Sequence, residues 1–254
     1  MSTHLRLVTR GDDAGSCRSA NRAICESVNA GVLRNVSIMA CGPAFDEAAE
    51  IFRGRDDLCL GLHVTLNAEW EKVKWGPVAP RESIASLLDE NGYFLETPNI
   101  TLERGFNADE AMTEIRAQLQ KARDAGLDIR YMDEHMGVSW IGLREAIAQL
   151  CRDENVLDAY LVPSLSQKQN SNDCVHNWIQ SVRTASPGTY VLVTHPGCEQ
   201  DDMKIFTREN LQPGDVARER DAERRAWCDP RLPQMLRELG VETARYDEVL
   251  KAGF

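Results

Sequence analysis

No apolar stretch in this chain approaches the roughly 20 consecutive apolar residues that a membrane-spanning helix needs. Residues 1–6, Met-Ser-Thr-His-Leu-Arg, lack the apolar centre of a secretory signal, so a cytoplasmic protein is expected. Basic residues are in deficit, 29 against 40 acidic, for a formal net charge of −11, and no basic cluster offsets it. That balance argues against binding to nucleic acid or to an anionic membrane. The eight cysteines (Cys17, Cys25, Cys41, Cys59, Cys151, Cys174, Cys198 and Cys228) include no C-x-x-C pair. Scattered in this way, they read as free thiols packed as small buried residues, not as a disulfide framework. Histidine is scarce as well, with five in 254 residues, and so the placement of each one is informative.

What remains is an ordinary soluble composition, 43% hydrophobic and 27% charged, with enough length for one large core or two small ones. The most informative stretch is Thr9-Arg10-Gly11-Asp12-Asp13-Ala14-Gly15, which follows the apolar run Leu5-Arg6-Leu7-Val8. Two adjacent carboxylates at the end of a buried strand point to different sides. One can hold a metal while the other handles a proton.

Apolar, β-rich runs alternate with helical patterns. Strands are expected at 5–9, 35–39, 59–65, 129–132, 159–162, 190–194 and 242–245. Helices are expected at 19–30, 44–52, 108–125, 141–152, 174–184, 214–239 and 246–251. The helix from Ala108 is the best defined, with Asn107 as its cap, Ala125-Gly126 as its stop, and Met112, Ile115, Leu119 and Ala122 on one face. Strand–helix alternation implies parallel strands with crossover helices. The expected fold class is therefore α/β, a single-domain (β/α) barrel of about seven strands, distorted or incomplete, with an open doubly wound sheet as the alternative. The segment 68–104 has weak periodicity and is rich in Trp, Pro and Gly. It reads as a lid-like insertion over a pocket. The polar stretches 163–172 and 197–213 read as further loops.

Four signals fall at expected strand ends: Asp12-Asp13, His63 within Gly61-Leu62-His63-Val64-Thr65, Asp133-Glu134-His135, and Thr194-His195-Pro196-Gly197. The C-terminal ends of parallel strands converge in space. An Asp with two His side chains makes an open site for a divalent ion, suited to zinc and to other borderline divalent metals. A second carboxylate can then take a proton from water, and a further histidine can donate one. His4 and His176 lack this context and are expected to be structural. Trp70, Trp75, Tyr93 and Trp140 are candidates to line the pocket, and ordinary packing would also explain them.

The same four motifs, in this order, resemble the YdjC-like carbohydrate deacetylases from Val8 to about Pro196, and more weakly through the helix around Arg218–Glu223 and the Tyr246-Asp247-Glu248 end. The resemblance implies removal of an acetyl group from an N-acetylated sugar or oligosaccharide, with one divalent metal ion (Zn or Mg) as cofactor. It implies that Asp13, His63 and His135 hold the metal, that Asp12 is the general base, that His195 is the second catalytic group, acting as an acid, and that Asp133 orients an imidazole. One departure is Gly137, where many members carry a second histidine, and it bears on substrate contact. Rival readings are another metal-dependent amidase or phosphoesterase on a related barrel, for which Arg10, Arg208 or Arg218 would be the phosphate clamp, and a non-catalytic carbohydrate-binding protein. The expected partner is a small-molecule or oligosaccharide substrate. A homo-oligomer is compatible with the sequence, but no residue demands one.

Overall fold

Strand β1 (Leu5–Ala14) organises the sheet. In the computed structural model, which describes residues 5–169 and 171–250, it is joined by β2 (Asn35–Ile38), β3 (Cys59–Val64), β4 (Ile129–Glu134), β5 (Leu157–Asp158), β6 (Gly188–Thr194) and β7 (Val241–Ala244). The order is β5-β4-β3-β2-β1-β6, with β7 also on β1, and every pairing is parallel. β1 pairs with β7 over Leu5–Val8 and with β2 from Arg10 onward. Asn35 sits at this change of partner, its amide donating to the carbonyls of Thr9 and Ala244 and its oxygen accepting the Tyr246 N–H. Between β5 and β6 the described residues join the sheet through an isolated bridge, Ser164 to Val191, made by the loop after β5. The result is the distorted, incomplete (β/α) barrel expected from the alternation.

The strands are crossed over by α1 (Arg18–Asn29), α2 (Phe45–Phe52), α3 (Pro98–Arg104), α4 (Ala108–Asp124), α5 (Arg144–Asp153), α6 (Cys174–Thr184), α7 (Asp201–Lys204), α8 (Asp215–Trp227), α9 (Leu232–Glu238) and α10 (Tyr246–Val249). Alternation along the strands divides the core. Leu7, Leu60, Met132 and Leu192 belong to the large cluster that the helices cover. Their neighbours Val8, Cys59, Tyr131 and Val191 belong to a smaller cluster inside the curl, with Tyr246. Gly61 is part of that interior, where a Cβ would lie 2.2 Å from the Tyr131 ring. Only glycine lets that ring reach the hydroxyl of Ser37 at 2.8 Å.

Three expected elements are corrected. The segment 159–162 is a short 3-10 turn, Ala159–Leu161, and not a strand. Asp158 starts it by accepting the Tyr160 N–H, so the strand is the two residues before it. The single helix expected over 214–239 is two, α8 and α9. Pro230 interrupts them, because proline lacks the N–H and disfavours helix in the residue before it. The helix expected from Ile141 starts at Arg144, after Gly142 in the left-handed region at φ 104°. Helix α3, unforeseen, is capped by Thr97, whose hydroxyl accepts the Ile100 N–H. His4 and the expected last helical residue, Lys251, lie outside the described residues. All eight cysteines are free thiols. No helix among the described residues is long and apolar enough to cross a membrane.

The segment 68–104 folds onto the body of the molecule. Trp70, Trp75, Ile84, Leu87, Leu88 and Phe94 are buried in the main cluster. The buried Glu114 of α4 fastens it by accepting the N–H groups of Val78 and Ala79.

Candidate functional site

The inward positions of the strands set the site. Val8, Arg10 and Asp12 alternate along β1, as do Gly61 and His63 on β3, Tyr131 and Asp133 on β4, and Val191 and Val193 on β6 with His195 just beyond. Strict alternation would send Asp13 outward. Its backbone lies at φ 67°, and the β1–β2 register shifts between Gly11 and Ala14. The bend turns Asp13 toward the histidines, so two consecutive aspartates share one site. His135 follows β4 as the first residue of a tight turn in which Met136 and Gly137 both have positive φ.

Asp13 Oδ1 lies 3.4 Å from His63 Nε2 and 3.4 Å from His135 Nδ1. Each imidazole is backed by a carboxylate on its other nitrogen: His63 Nδ1 by Asp133 Oδ2 at 2.9 Å, and His135 Nε2 by Glu69 Oε2 at 2.9 Å. That backing fixes ring orientation and leaves one nitrogen of each facing Asp13. Asp13 Oδ1 and His63 Nε2 are buried and make no hydrogen bond. Buried polar atoms without a hydrogen bond are rare, and two that face one point are an arrangement that could hold a cation. The donor set, one carboxylate oxygen and two imidazole nitrogens, fits a divalent ion. Asp12, His63 and Asp133 form a second cluster with metal-ligand chemistry. Arg10 already occupies it, with Nη2 at 2.8 Å from Asp12 and 3.1 Å from Asp133.

Arg10 also donates from Nε to Asp12 Oδ1 at 2.7 Å and from Nη1 to the Tyr246 hydroxyl at 3.0 Å. Burial disfavours charge on Asp12, but Arg10, His63 and His195 outweigh it and hold its pKa below the ordinary value. Asp13 is buried too, yet Arg220, at 2.8 Å from Oδ2, together with His135 and His63, keeps its pKa well below the usual range. Burial opposes charge on His63, but Asp133 and Asp12 raise its pKa well above 6.5. Burial is likewise outweighed on His135, where Glu69 and Asp13 push the pKa up to about 9. His195 differs: burial dominates and lowers its pKa, leaving a neutral imidazole. Its backbone N–H donates to Glu223 at 2.6 Å.

Asp12, Asp13, His63, His135 and His195 thus line one cavity of about 370 Å³ at the C-terminal ends of the strands. Of the aromatic candidates, Trp70 lines it but is only 6% exposed, packed against Phe206. Trp75 is buried with its ring edge against His135, and its indole donates to the Asn67 carbonyl. Trp140 lines a neighbouring, larger cavity. Tyr93 is in the turn closed on Asp89 and lines neither. His176 is in α6, away from both cavities. Of the arginines weighed as a phosphate clamp, Arg10 is committed to carboxylates and Arg218 pairs with Asp215, whereas Arg208 lines the cavity edge. Sequence reasoning missed Glu69, Arg220, Glu223 and Tyr246. Each arrives from a distant segment, and none carries a local pattern that distinguishes it from a surface or core residue.

Residues 6–190 match the family described as YdjC-like protein. A carbohydrate deacetylase of Thermoanaerobacter pseudethanolicus is 25% identical over 263 residues, covering 94% of this chain and 97% of that protein. One from Listeria monocytogenes serotype 4b is 30% identical over 137 residues, covering 53% of this chain and 52% of that protein. Among solved structures, one from Enterococcus faecalis V583, described as a cellobiose-phosphate cleavage protein, has a TM-score of 0.80 at 21% identity over 97% of this chain and 99% of its own. A CE4 esterase of Streptococcus mutans has a TM-score of 0.52 at 14% identity over 94% of this chain and 84% of its own. At those identities the structural likeness is one of fold.

Proposed function

This chain belongs to the YdjC-like protein family, and on that premise we propose that it is a metal-dependent hydrolase that removes an acetyl group from an N-acetylated sugar or oligosaccharide. The observation that carries the proposal is the pair of buried atoms without a hydrogen bond, Asp13 Oδ1 and His63 Nε2, 3.4 Å apart and facing His135 beside an ionised Asp12. The names of the two deacetylase relatives agree with it. The whole chain acts as one deacetylase domain, with the segment 68–104 forming a wall of the site through Glu69 and Trp70.

Asp13, His63 and His135 would hold the ion, with zinc or magnesium as the candidates. A divalent ion there would supply Lewis-acid activation of water and of the amide carbonyl. Once an ion had displaced their protons, Asp133 and Glu69 would hold the two imidazoles in the tautomer with a lone pair toward Asp13. Asp12 accepts the proton of the attacking water; Arg10 holds both its oxygens and keeps it ionised in a buried place. His195 is neutral at rest; it takes up a proton from solvent as Asp12 returns the water's proton to solvent, and then protonates the departing amine. The products are acetate and a free amino sugar.

The test is acetate release from N-acetylglucosamine and its oligomers by protein loaded with zinc, magnesium or cobalt, with bound metal measured in parallel. Asp13→Ala and His63→Ala are expected to lose both metal and turnover. Asp12→Asn is expected to keep metal and lose turnover by roughly 10²–10⁴-fold. A near-normal rate in Asp12→Asn would remove it as the base, and metal retained in Asp13→Ala would remove the ligand set. Phosphate release from a model ester without acetate release would favour the phosphoesterase reading.

A further inference from the structure

A second cavity, of about 880 Å³, adjoins the one that holds the aspartates and histidines. Arg10, Glu134, Gly137 and Val193 line both, so the two meet there. Gly137 is the open point of this junction. A Cβ at that position would find nothing nearer than Trp140 Cδ1 at 3.7 Å, and the backbone lies at φ 66°. Side chains other than Gly and Asn rarely adopt that conformation, so the chain both omits a side chain here and holds a backbone that disfavours one.

The lining of the second cavity is largely apolar. Met132, Val162, Pro163 and Val191 line it, and Trp140 and Tyr160, 55% and 68% exposed, line it as well. Its charged groups are mostly used up among themselves. Arg10 is held by Asp12 and Asp133, and Arg144 by Asp158, with Glu134 at 3.5 Å. Counting Glu145, four carboxylates (Asp133, Glu134, Glu145 and Asp158) face two guanidiniums, so the lining carries an excess of negative charge that opposes a phosphate or carboxylate group, although Arg144 Nη1 is buried without a hydrogen bond. The volume lies in the range of about 300–1,000 Å³ common for small-molecule sites.

We infer that Gly137 is a specificity-determining residue, and that it opens the site to an uncharged, mainly apolar group attached to the acetylated sugar. This inference rests on the deacetylase reading. It adds that the substrate is an amphiphilic glycoside, seated with its sugar beside Asp12 and His195 and its apolar part against Met132, Val191 and Trp140. A phosphorylated substituent is disfavoured by the unbalanced carboxylates.

The test compares calorimetric binding of N-acetylglucosamine, its octyl glycoside, its 6-phosphate and the N,N′-diacetylated disaccharide to the wild-type chain and to Gly137→Asn. Asn tolerates positive φ and places a side chain in the junction. In the wild type the octyl glycoside is expected to bind at least tenfold more tightly than the parent sugar, and the 6-phosphate no better than the parent. In Gly137→Asn the gain from the octyl group is expected to fall below threefold. Should Gly137→Asn fail to fold, Trp140→Ala, at an exposed position, is expected to reduce the same gain. No gain from the octyl group in the wild type, a gain that survives both variants, a larger gain for the disaccharide, or preferential binding of the 6-phosphate would each overturn the inference. Acetate release by the same samples separates the two readings: binding selectivity without acetate release from any of the sugars defeats the deacetylase assignment alone, whereas acetate release without apolar selectivity defeats this inference alone.

Discussion

Two residues show how single backbone positions shape the site. Asp13 lies at φ 67°, which breaks the strand alternation and brings its carboxylate to the side where Asp12 already points. Gly61 makes room for the Tyr131 ring, which packs 4.5 Å from Tyr246, whose hydroxyl accepts from Arg10. A methyl group at Gly61 must displace that ring, because the nearest ring atom is 2.2 Å from the added carbon. Gly61→Ala is expected to cost ~1–3 kcal/mol, the usual range for overpacking, measurable by urea denaturation. It is also expected to lower turnover, since Tyr131, Tyr246, Arg10 and Asp12 form one connected stack. An unchanged urea midpoint would mean that the interior yields more easily than these contacts imply.

At the scale of elements, α8 does more than cover the sheet. It carries Arg220 and Glu223 on one face, one helical turn apart. Arg220 reaches Asp13 at the end of β1, and Glu223 receives the His195 N–H beyond the end of β6. Burial pushes the Glu223 pKa up to about 7, against the His195 N–H and Arg220, which lower it. The native state therefore retains a proton there that the unfolded chain gives up above the ordinary value of 4.5. This contribution to stability is fully present below about pH 4.5 and is lost as pH rises through about 7. Glu223→Gln keeps an acceptor for His195 and removes the ionisation. Its stability relative to wild type is expected to rise by ~1–3 kcal/mol between pH 4.5 and 8 in denaturant titrations. A difference that does not change with pH would show that Glu223 titrates normally.

For the whole molecule, the proposed metal site couples folding, protonation and ligand binding. In chelator-stripped protein His135 has a pKa of about 9 and His63 is also raised, so both imidazoles are charged at pH 7. The pairing of His135 with Glu69 and Asp13 then contributes stability that is present below about pH 6.5 and lost as pH rises through about 9. A divalent ion must displace those protons, so its affinity is expected to strengthen from pH 6 to 9, by up to about tenfold per unit for each proton released. Calorimetry in buffers of different ionisation enthalpy counts the protons, and a count of zero would contradict histidine ligation. Added ion is also expected to raise the melting temperature, by an amount that grows with the logarithm of its concentration relative to its dissociation constant. That gain should vanish in His63→Ala.

Much of this arrangement was legible in the chain. Apolar runs that end in Asp12-Asp13, His63, Asp133-Glu134-His135 and Thr194-His195 placed these residues at the ends of parallel strands, which converge in space, because a run of apolar residues and its end are read from adjacent residues alone. The scarcity of histidine made those positions stand out. The early breaks at Asp158 and Pro230 are locally encoded too, by a cap and a proline that lie within longer apolar patterns. Tertiary structure alone decided the rest. Glu69 stands behind His135, Arg220 beside Asp13, Glu223 under His195, and Tyr246 against Arg10, through contacts between segments far apart in sequence. Such contacts depend on how the insertion and α8 pack over the sheet, and nothing in the neighbourhood of a charged residue marks it for a distant partner. The role of Gly137 as an opening is decided in the same way. A glycine can be read in the chain, but whether the space beside it is solvent, protein or the mouth of a second cavity is set by what the folded chain places there.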